Sequence, residues 1–117
     1  MITVRRVYDP PVRGEGWRVL VDRLWPRGLA KTAVGFDDWR KKVAPTTELR
    51  RWFSHDPARF AEFARRYREE LRHKPEALEG LLSAAHAGPV VLLYAARDVV
   101  HNHAVILRDY VQSHLHE

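Results

Sequence analysis

The sequence predicts an α/β fold: a small, mainly parallel sheet of three or more strands flanked by helices, forming a Rossmann-like single domain over residues 1–117. Two continuous apolar runs, at residues 19–21 and 90–96, are typical of strands buried on both faces. The segment between them has helical periodicity. Together they form a strand–helix–strand crossover, a connection that usually joins parallel strands.

The first strand is predicted at residues 2–8, which alternate loosely in polarity and include β-branched side chains. Residues 17–21 form the second strand. The turn-rich segment 9–16 between them is short for a parallel crossover, so these strands are either an antiparallel pair or are separated by a third. Residues 29–35 are polar enough for an exposed loop and are the candidate mobile lid.

Short helices are predicted next. One covers residues 36–43 and ends at Ala44-Pro45, because proline interrupts helical hydrogen bonding. The following helix covers residues 48–53, with Thr46 or Thr47 as its N-cap.

Longer helices complete the chain. Asp56-Pro57 indicates a helix start, because Asp is favoured at the N-cap and Pro at the first helical position. Phe63 and Tyr67 then fall on its apolar face at helical spacing. Pro75 begins another helix, and Asn102 is a suitable N-cap for the last one.

Composition restricts the function classes. The formal net charge is +5, from 20 cationic and 15 acidic residues, and most of the cations are arginine. Arginine favours two-pronged contacts with carboxylate or phosphate, which makes an anionic partner plausible. The chain has no cysteine, which excludes disulfides and thiolate chemistry. It also has neither a membrane-length apolar run nor a signal-peptide pattern, so a cytoplasmic location without membrane association is predicted.

Charged residues follow both apolar runs. Asp22 and Arg23 come directly after the first, and Arg97 and Asp98 follow the second. If the two strands are parallel neighbours, these side chains converge on one rim of the sheet, where α/β proteins bind ligands. The alternative is structural, with Asp22 and Arg97 pairing to join the strand ends.

Arg27, Asn102 and His103 complete the predicted rim site, and Trp25 and Gly28 are ligand-binding candidates beside Arg27. Trp25, Arg27 and Gly28 form a turn after Asp22-Arg23, in which the tryptophan either stacks on a ligand or belongs to the core. Asn102 sits at the start of the last helix, whose amino end favours an anion. The alternative for Asn102 is a simple helix cap.

Arg50 and His55 are further ligand-binding candidates. They flank Trp52-Phe53, two large aromatics that would anchor a short helix and hold the arginine rigidly. The alternative is that the aromatics are ordinary core and His55 marks a helix end.

His103, assisted by Asp22 or Asp98, is the candidate proton carrier, because imidazole titrates near neutral pH. A carboxylate and an imidazole can also contribute to a metal site, but no metal-ligand set is assigned, and the cofactor stays unknown.

Three segments match a known pattern. They read LVDRLWPRG at residues 20–28, APTTELRRWFSHD at residues 44–56, and LLYAARD at residues 92–98, followed by Asn102-His103-Ala104. Together they resemble the YeaO-like family of uncharacterised bacterial proteins, a domain of unknown function. The resemblance implies an α/β fold but no activity. Relatives in the wider group carry a cysteine in the segment before His103, and its absence here means that no thiol role is carried over.

The sequence therefore predicts a protein that binds, and in one version turns over, a small anionic or phosphorylated ligand at the carboxyl ends of the central strands. One alternative is a non-catalytic module that binds protein or nucleic acid through its arginine-rich surface. That surface includes Arg65 and Arg66, whose acidic neighbours four residues away also suit a solvated helix face. The other alternative is a metal-dependent hydrolase. Whether the protein is an enzyme, and its oligomeric state, stay open.

Overall fold

A computed structural model describes residues 1–30 and 35–115. Its sheet has four strands in the order β1-β4-β2-β3, and every adjacent pair is parallel. The strands are β1 (Ile2–Arg6), β2 (Trp17–Leu20), β3 (Asp38–Trp39) and β4 (Val90–Tyr94). The helices are α1 (Thr47–Phe53), α2 (Phe60–Arg72), α3 (Pro75–Ala87) and α4 (His103–His114), with short 3₁₀ turns at Lys41–Val43 and Pro57–Arg59.

β4 lies between β1 and β2, which explains how a short connection can join two parallel strands. β1 and β2 never pair with each other; each pairs with β4 instead. In the register, Arg6 lies opposite Tyr94 and Leu20 lies opposite Leu93, so the three carboxyl ends reach the same edge of the sheet. The predicted α/β fold is confirmed, and the alternative of a third strand between the first two is the correct one.

The two faces of the sheet are covered differently. Val19, Leu92 and Tyr94 belong to the main core together with the buried faces of all four α-helices. The opposite face presents Leu20 and Leu93, against which loop residues pack. The helical layer therefore lies on one face, and the loop layer closes the other.

The helix predicted over residues 36–43 is wrong. Asp37 N donates to Arg18 O (2.7 Å) and Arg40 N donates to Leu20 O (2.9 Å), which adds β3 to the edge of β2. Only the short 3₁₀ turn follows. Pairing with an open sheet edge satisfies the backbone groups of this segment, and helical propensity does not override it.

The other predicted starts agree with the structure. Thr46 caps α1 by accepting from Leu49 N, Asp56 caps the turn before α2, and Asn102 caps α4 by accepting from Val105 N. Of the predicted lid, residues 31–34 lie outside the described part. Within the described part, no helix combines the length and apolar character required to cross a bilayer.

Candidate functional site

Asp22 joins the carboxyl ends of the two central strands. It lies just beyond β2, and its Oδ2 accepts a hydrogen bond from Ala95 N, just beyond β4, at 3.0 Å. Its Oδ1 is buried, makes no conventional hydrogen bond, and lies 3.3 Å from His103 Nε2. Asp22 therefore pairs with a main-chain amide and an imidazole, and the predicted alternative of a pair with Arg97 is wrong.

His103, the first residue of α4, turns its Nε2 toward two oxygen atoms. Val21 O lies at 3.0 Å and Asp22 Oδ1 at 3.3 Å. Because both neighbours are acceptors, Nε2 carries the proton, and in the neutral ring Nδ1 carries the lone pair. Burial lowers the pKa of His103, and although Asp22 opposes this effect, the direction remains downward. His103 is thus a neutral, oriented imidazole.

A hollow of about 60 Å³ lies beside this imidazole. We call it the α4 pocket, because the start of α4 and the segment before it form one wall, while Pro45, α1 with the nearby His55, and α2 supply the rest. The residues that line it are Pro45, Arg50, Phe53, His55, Phe63, Ala96, His101, Asn102 and His103. Four of the residues predicted for the site therefore meet there: Arg50, His55, Asn102 and His103.

Arg50 is positioned by a firmly held helix. Thr46, the N-cap of α1, is itself fixed by Glu70, which accepts from Thr46 N (2.9 Å) and Thr46 Oγ1 (2.7 Å). Phe53 stacks on Phe63 with ring centroids 4.2 Å apart. Arg50 is half-buried, and among the described residues no acidic side chain forms an ion pair with it.

His55 owes its position to an unusual helix end. Ser54 (φ 49°) and His55 (φ 56°) both have left-handed backbone conformations, the only positive-φ residues other than glycine in the described part. Each such residue costs on the order of 1 kcal/mol or more compared with the right-handed form. The two consecutive left-handed residues change the direction of the chain after α1. His55 is consequently exposed and lines the pocket.

Asp98 organises the loop that leads into α4. Its Oδ1 accepts from Val100 N and His101 N, both at 2.9 Å, and its Oδ2 lies 2.9 Å from His101 Nδ1. The His101 and Val100 amides, followed by the His101 ring, hold the pKa of Asp98 down at about 2, from an ordinary 3.8. Asp98 therefore holds His101 at the α4 pocket but does not line the pocket itself.

The depressed pKa of Asp98 gives a testable pH dependence. Because the folded carboxyl has the lower pKa, its contribution to stability is complete above about pH 4 and is lost as the pH falls toward 2. We expect Asp98→Asn, which keeps an acceptor for the amides but cannot titrate, to show a shallower loss of unfolding free energy over this range. Urea unfolding at a series of pH values measures it. Parallel curves for the two proteins would contradict this account of the loop.

The other predicted arginines do not enter the α4 pocket. Arg23 donates to Pro45 O (3.0 Å) and Ala44 O (3.1 Å). It therefore fixes the position of Pro45, which lines the pocket, without lining the pocket itself. Arg97 and Arg27 are exposed, and neither lines the pocket. Main-chain carbonyls engage Arg23, and the other two arginines are exposed, so the structure does not bring the three together in this pocket.

The Trp25 turn belongs to the loop layer on the opposite face of the sheet. Trp25 Nε1 donates to Leu29 O (2.7 Å), and its ring packs against those of Phe36 and Trp39. Gly28 lies in the same turn, which Tyr8 ties down by donating to Arg27 O at 2.7 Å. Of the two readings of Trp25, the core one agrees with these contacts.

His101 is the site residue that sequence reasoning did not select. It lines the α4 pocket and also packs edge-on against Phe60, with ring centroids 5.2 Å apart. The sequence feature that could have indicated His101 is its spacing of two residues from His103. Within the described ranges, no group of three histidine or acidic side chains could hold a metal ion. The site thus contains one arginine and three imidazoles. Asp22 contacts the imidazole of His103, and Asp98 contacts that of His101.

The chain is similar in sequence to several known proteins. Similar proteins include "Uncharacterized protein YeaO" of Escherichia coli (strain K12), 41% identical over 112 residues that cover 96% of this chain and 97% of that protein. "Uncharacterized protein Rv3073c" of Mycobacterium tuberculosis is 44% identical over 106 residues, covering 91% and 89%. No solved structure matches the chain significantly.

A sequence model of one family spans residues 1–117, and its description reads "Inactive DUF488-N3 subclade". Together with the relative from Escherichia coli, this match confirms the resemblance to YeaO-like proteins. The chain belongs to the inactive DUF488-N3 subclade.

Proposed function

We propose that this protein binds a small oxyanion, or the anionic group of a small molecule, in the α4 pocket and does not turn it over. The observation that carries the proposal is Arg50, a half-buried guanidinium that lines a hollow and forms no ion pair with any described acidic residue. A guanidinium in such a position favours carboxylate or phosphate oxygens through charge-assisted hydrogen bonds.

The charge balance of the pocket supports the same ligand class. The Asp22 carboxylate is engaged by Ala95 N and His103, and the Asp98 carboxylate by two amides and His101. Neither carboxylate lines the hollow. Arg50 therefore presents a full positive charge to a ligand in the hollow. The amino end of α4 adds a partial positive charge.

Size limits what the pocket can enclose. A hollow of about 60 Å³ is well below the roughly 300–1,000 Å³ of pockets that surround a drug-sized ligand. This scale suits a single tetrahedral or carboxylate group. Any larger molecule would place only its anionic group inside and leave the remainder in solvent.

Binding without turnover agrees with the chemistry of the lining. None of the pocket-lining residues carries a hydroxyl or thiol, so His103 has no adjacent side-chain nucleophile to activate. The description of the matched family as inactive supports the same conclusion.

The two alternatives have less support. On α2, Glu62 pairs with both Arg65 (2.8 Å) and Arg66 (2.7 Å), and Glu69 pairs with Arg72 (2.6 Å), which reduces the free positive charge available to nucleic acid. A metal-dependent hydrolase requires a ligand set, and among the described residues no third histidine or acidic side chain joins the Asp22–His103 pair to form one.

Calorimetric titration with inorganic phosphate at low salt tests the proposal. We expect Arg50→Ala to weaken binding by about tenfold or more, the usual effect of losing a hydrogen bond to a charged group. Arg51→Ala is the matched control, because this neighbouring arginine is exposed, lies outside the pocket and carries the same charge. Equal losses in both variants would indicate general surface attraction, and an absence of binding by the unmodified protein would refute the proposal.

A further inference from the structure

We infer that the α4 pocket requires an oxyanion that retains a proton, so that it selects hydrogenphosphate over sulfate. The inference rests on the proposed function and specifies its ligand. It follows from the tautomer of His103, whose two nitrogen atoms have different surroundings.

The two nitrogen atoms of the His103 ring have different hydrogen-bonding roles. Nε2 faces Val21 O at 3.0 Å and Asp22 Oδ1 at 3.3 Å, and since both are acceptors the proton must lie on Nε2. Nδ1 has no hydrogen-bond partner among the described residues. On a neutral ring that lines the pocket, Nδ1 is an acceptor that needs a donor.

Asp22 helps to hold the His103 ring in this tautomer. The carboxylate is held in place by Ala95 N at 3.0 Å, so it cannot rotate away from the imidazole without breaking that bond. Together with the main-chain oxygen of Val21, it disfavours the alternative tautomer, in which Nε2 would present a lone pair to two oxygen atoms. Asp22 is therefore a positioning residue for His103.

The charge of the His103 ring determines whether Nδ1 can accept a hydrogen bond. Burial lowers the pKa of His103; Asp22 and the hydrogen bond to Val21 O oppose this effect, Arg50 and His55 add to it, and the net direction is downward. Near neutral pH the ring consequently stays uncharged, and Nδ1 keeps its lone pair. A protonated ring would have donated from both nitrogens and accepted any oxyanion.

The ligand must therefore offer an anionic oxygen to Arg50 and a donor to His103 Nδ1. At about pH 8 inorganic phosphate is mainly the divalent hydrogenphosphate, which has both, whereas sulfate has the same charge and shape but no proton. A phosphate monoester such as methyl phosphate has also lost its acidic protons at this pH. Either of these two ions would place an oxygen lone pair against that of Nδ1.

The experiment compares these three anions on the full chain by calorimetry at pH 8. We expect phosphate to bind about tenfold or more tightly than both sulfate and methyl phosphate, because the latter two would displace water from Nδ1 without donating a hydrogen bond in its place. His103→Phe, which keeps an aromatic ring but has no acceptor, should lose the preference. Arg50→Ala should weaken all three anions together.

The outcomes separate the two proposals. If all three anions bind the unmodified protein equally, or sulfate binds best, the selectivity is refuted while anion binding stands. If none binds, the proposed function itself fails. A nitrogen NMR spectrum of the His103 ring provides a measurement that does not depend on the folding of a variant. We expect the proton on Nε2, and a proton on Nδ1 would overturn the inference.

Discussion

Tyr67→Ala is expected to lower the free energy of unfolding by about 3–5 kcal/mol, the usual cost of truncating a buried aromatic residue. The Tyr67 side chain is fully buried in the main core, and its ring is 6.0 Å from that of Phe63 and 6.1 Å from that of His103. Its hydroxyl donates to Val43 O at 2.6 Å. Truncation would leave a cavity behind the α4 pocket and an unpaired carbonyl at Val43.

Tyr67→Phe separates the two parts of this effect. The ring is kept and only the bond to Val43 O is lost, so we expect a cost of about 1–2 kcal/mol. Urea unfolding of both variants gives the values, with exposed Tyr8→Ala as the control for a general tyrosine effect. If Tyr67→Ala cost no more than Tyr8→Ala, the described core would be incorrect.

Gly16→Ala is expected to cost about 3 kcal/mol, from backbone strain and overpacking combined. Gly16 has φ 119°, a conformation that other residues rarely adopt, and a Cβ there would lie 2.3 Å from Pro89 O. The carbonyl cannot yield easily, because it accepts the hydrogen bond from Trp17 N at 3.0 Å. This bond is at the start of the β2–β4 pairing, so the clash would disturb the central strands.

Gly14→Ala is the matched control for Gly16→Ala. Gly14 also has a positive φ, 79°, but a Cβ there would meet no atom within 4 Å. Its cost should be that of backbone strain alone, about 1–2 kcal/mol. Thermal or urea unfolding of both variants measures the difference, and equal costs would show that the contact with Pro89 does not constrain β2.

Local patterns predicted most of the fold. The apolar run that becomes β4, the caps Thr46, Asp56 and Asn102, and the proline that begins α3 were all readable, because each acts within a few residues along the chain. β3 could not be read in this way. Its two residues are a strand only because the edge of β2 is open beside them.

The candidate site was predicted only in part, because some of its contacts are local in the sequence and others are not. Asn102 and His103 could be identified because a helix start follows a central strand, and Arg50 and His55 because aromatic anchors surround them. The fate of Arg23 could not be identified, because its hydrogen-bond acceptors lie more than twenty residues away in the sequence, at Ala44 and Pro45.

By itself, the sequence determined most of the strands and helices, with β3 as the exception, and it indicated that His103 and Asn102 lie beside the end of a central strand. The tertiary structure decided which polar side chains share a pocket and which nitrogen of His103 carries the proton. The physical reason is range: helical and strand periodicity depend on neighbours along the chain, whereas a long polar side chain is directed by whichever distant backbone or carboxylate oxygen folding brings within reach.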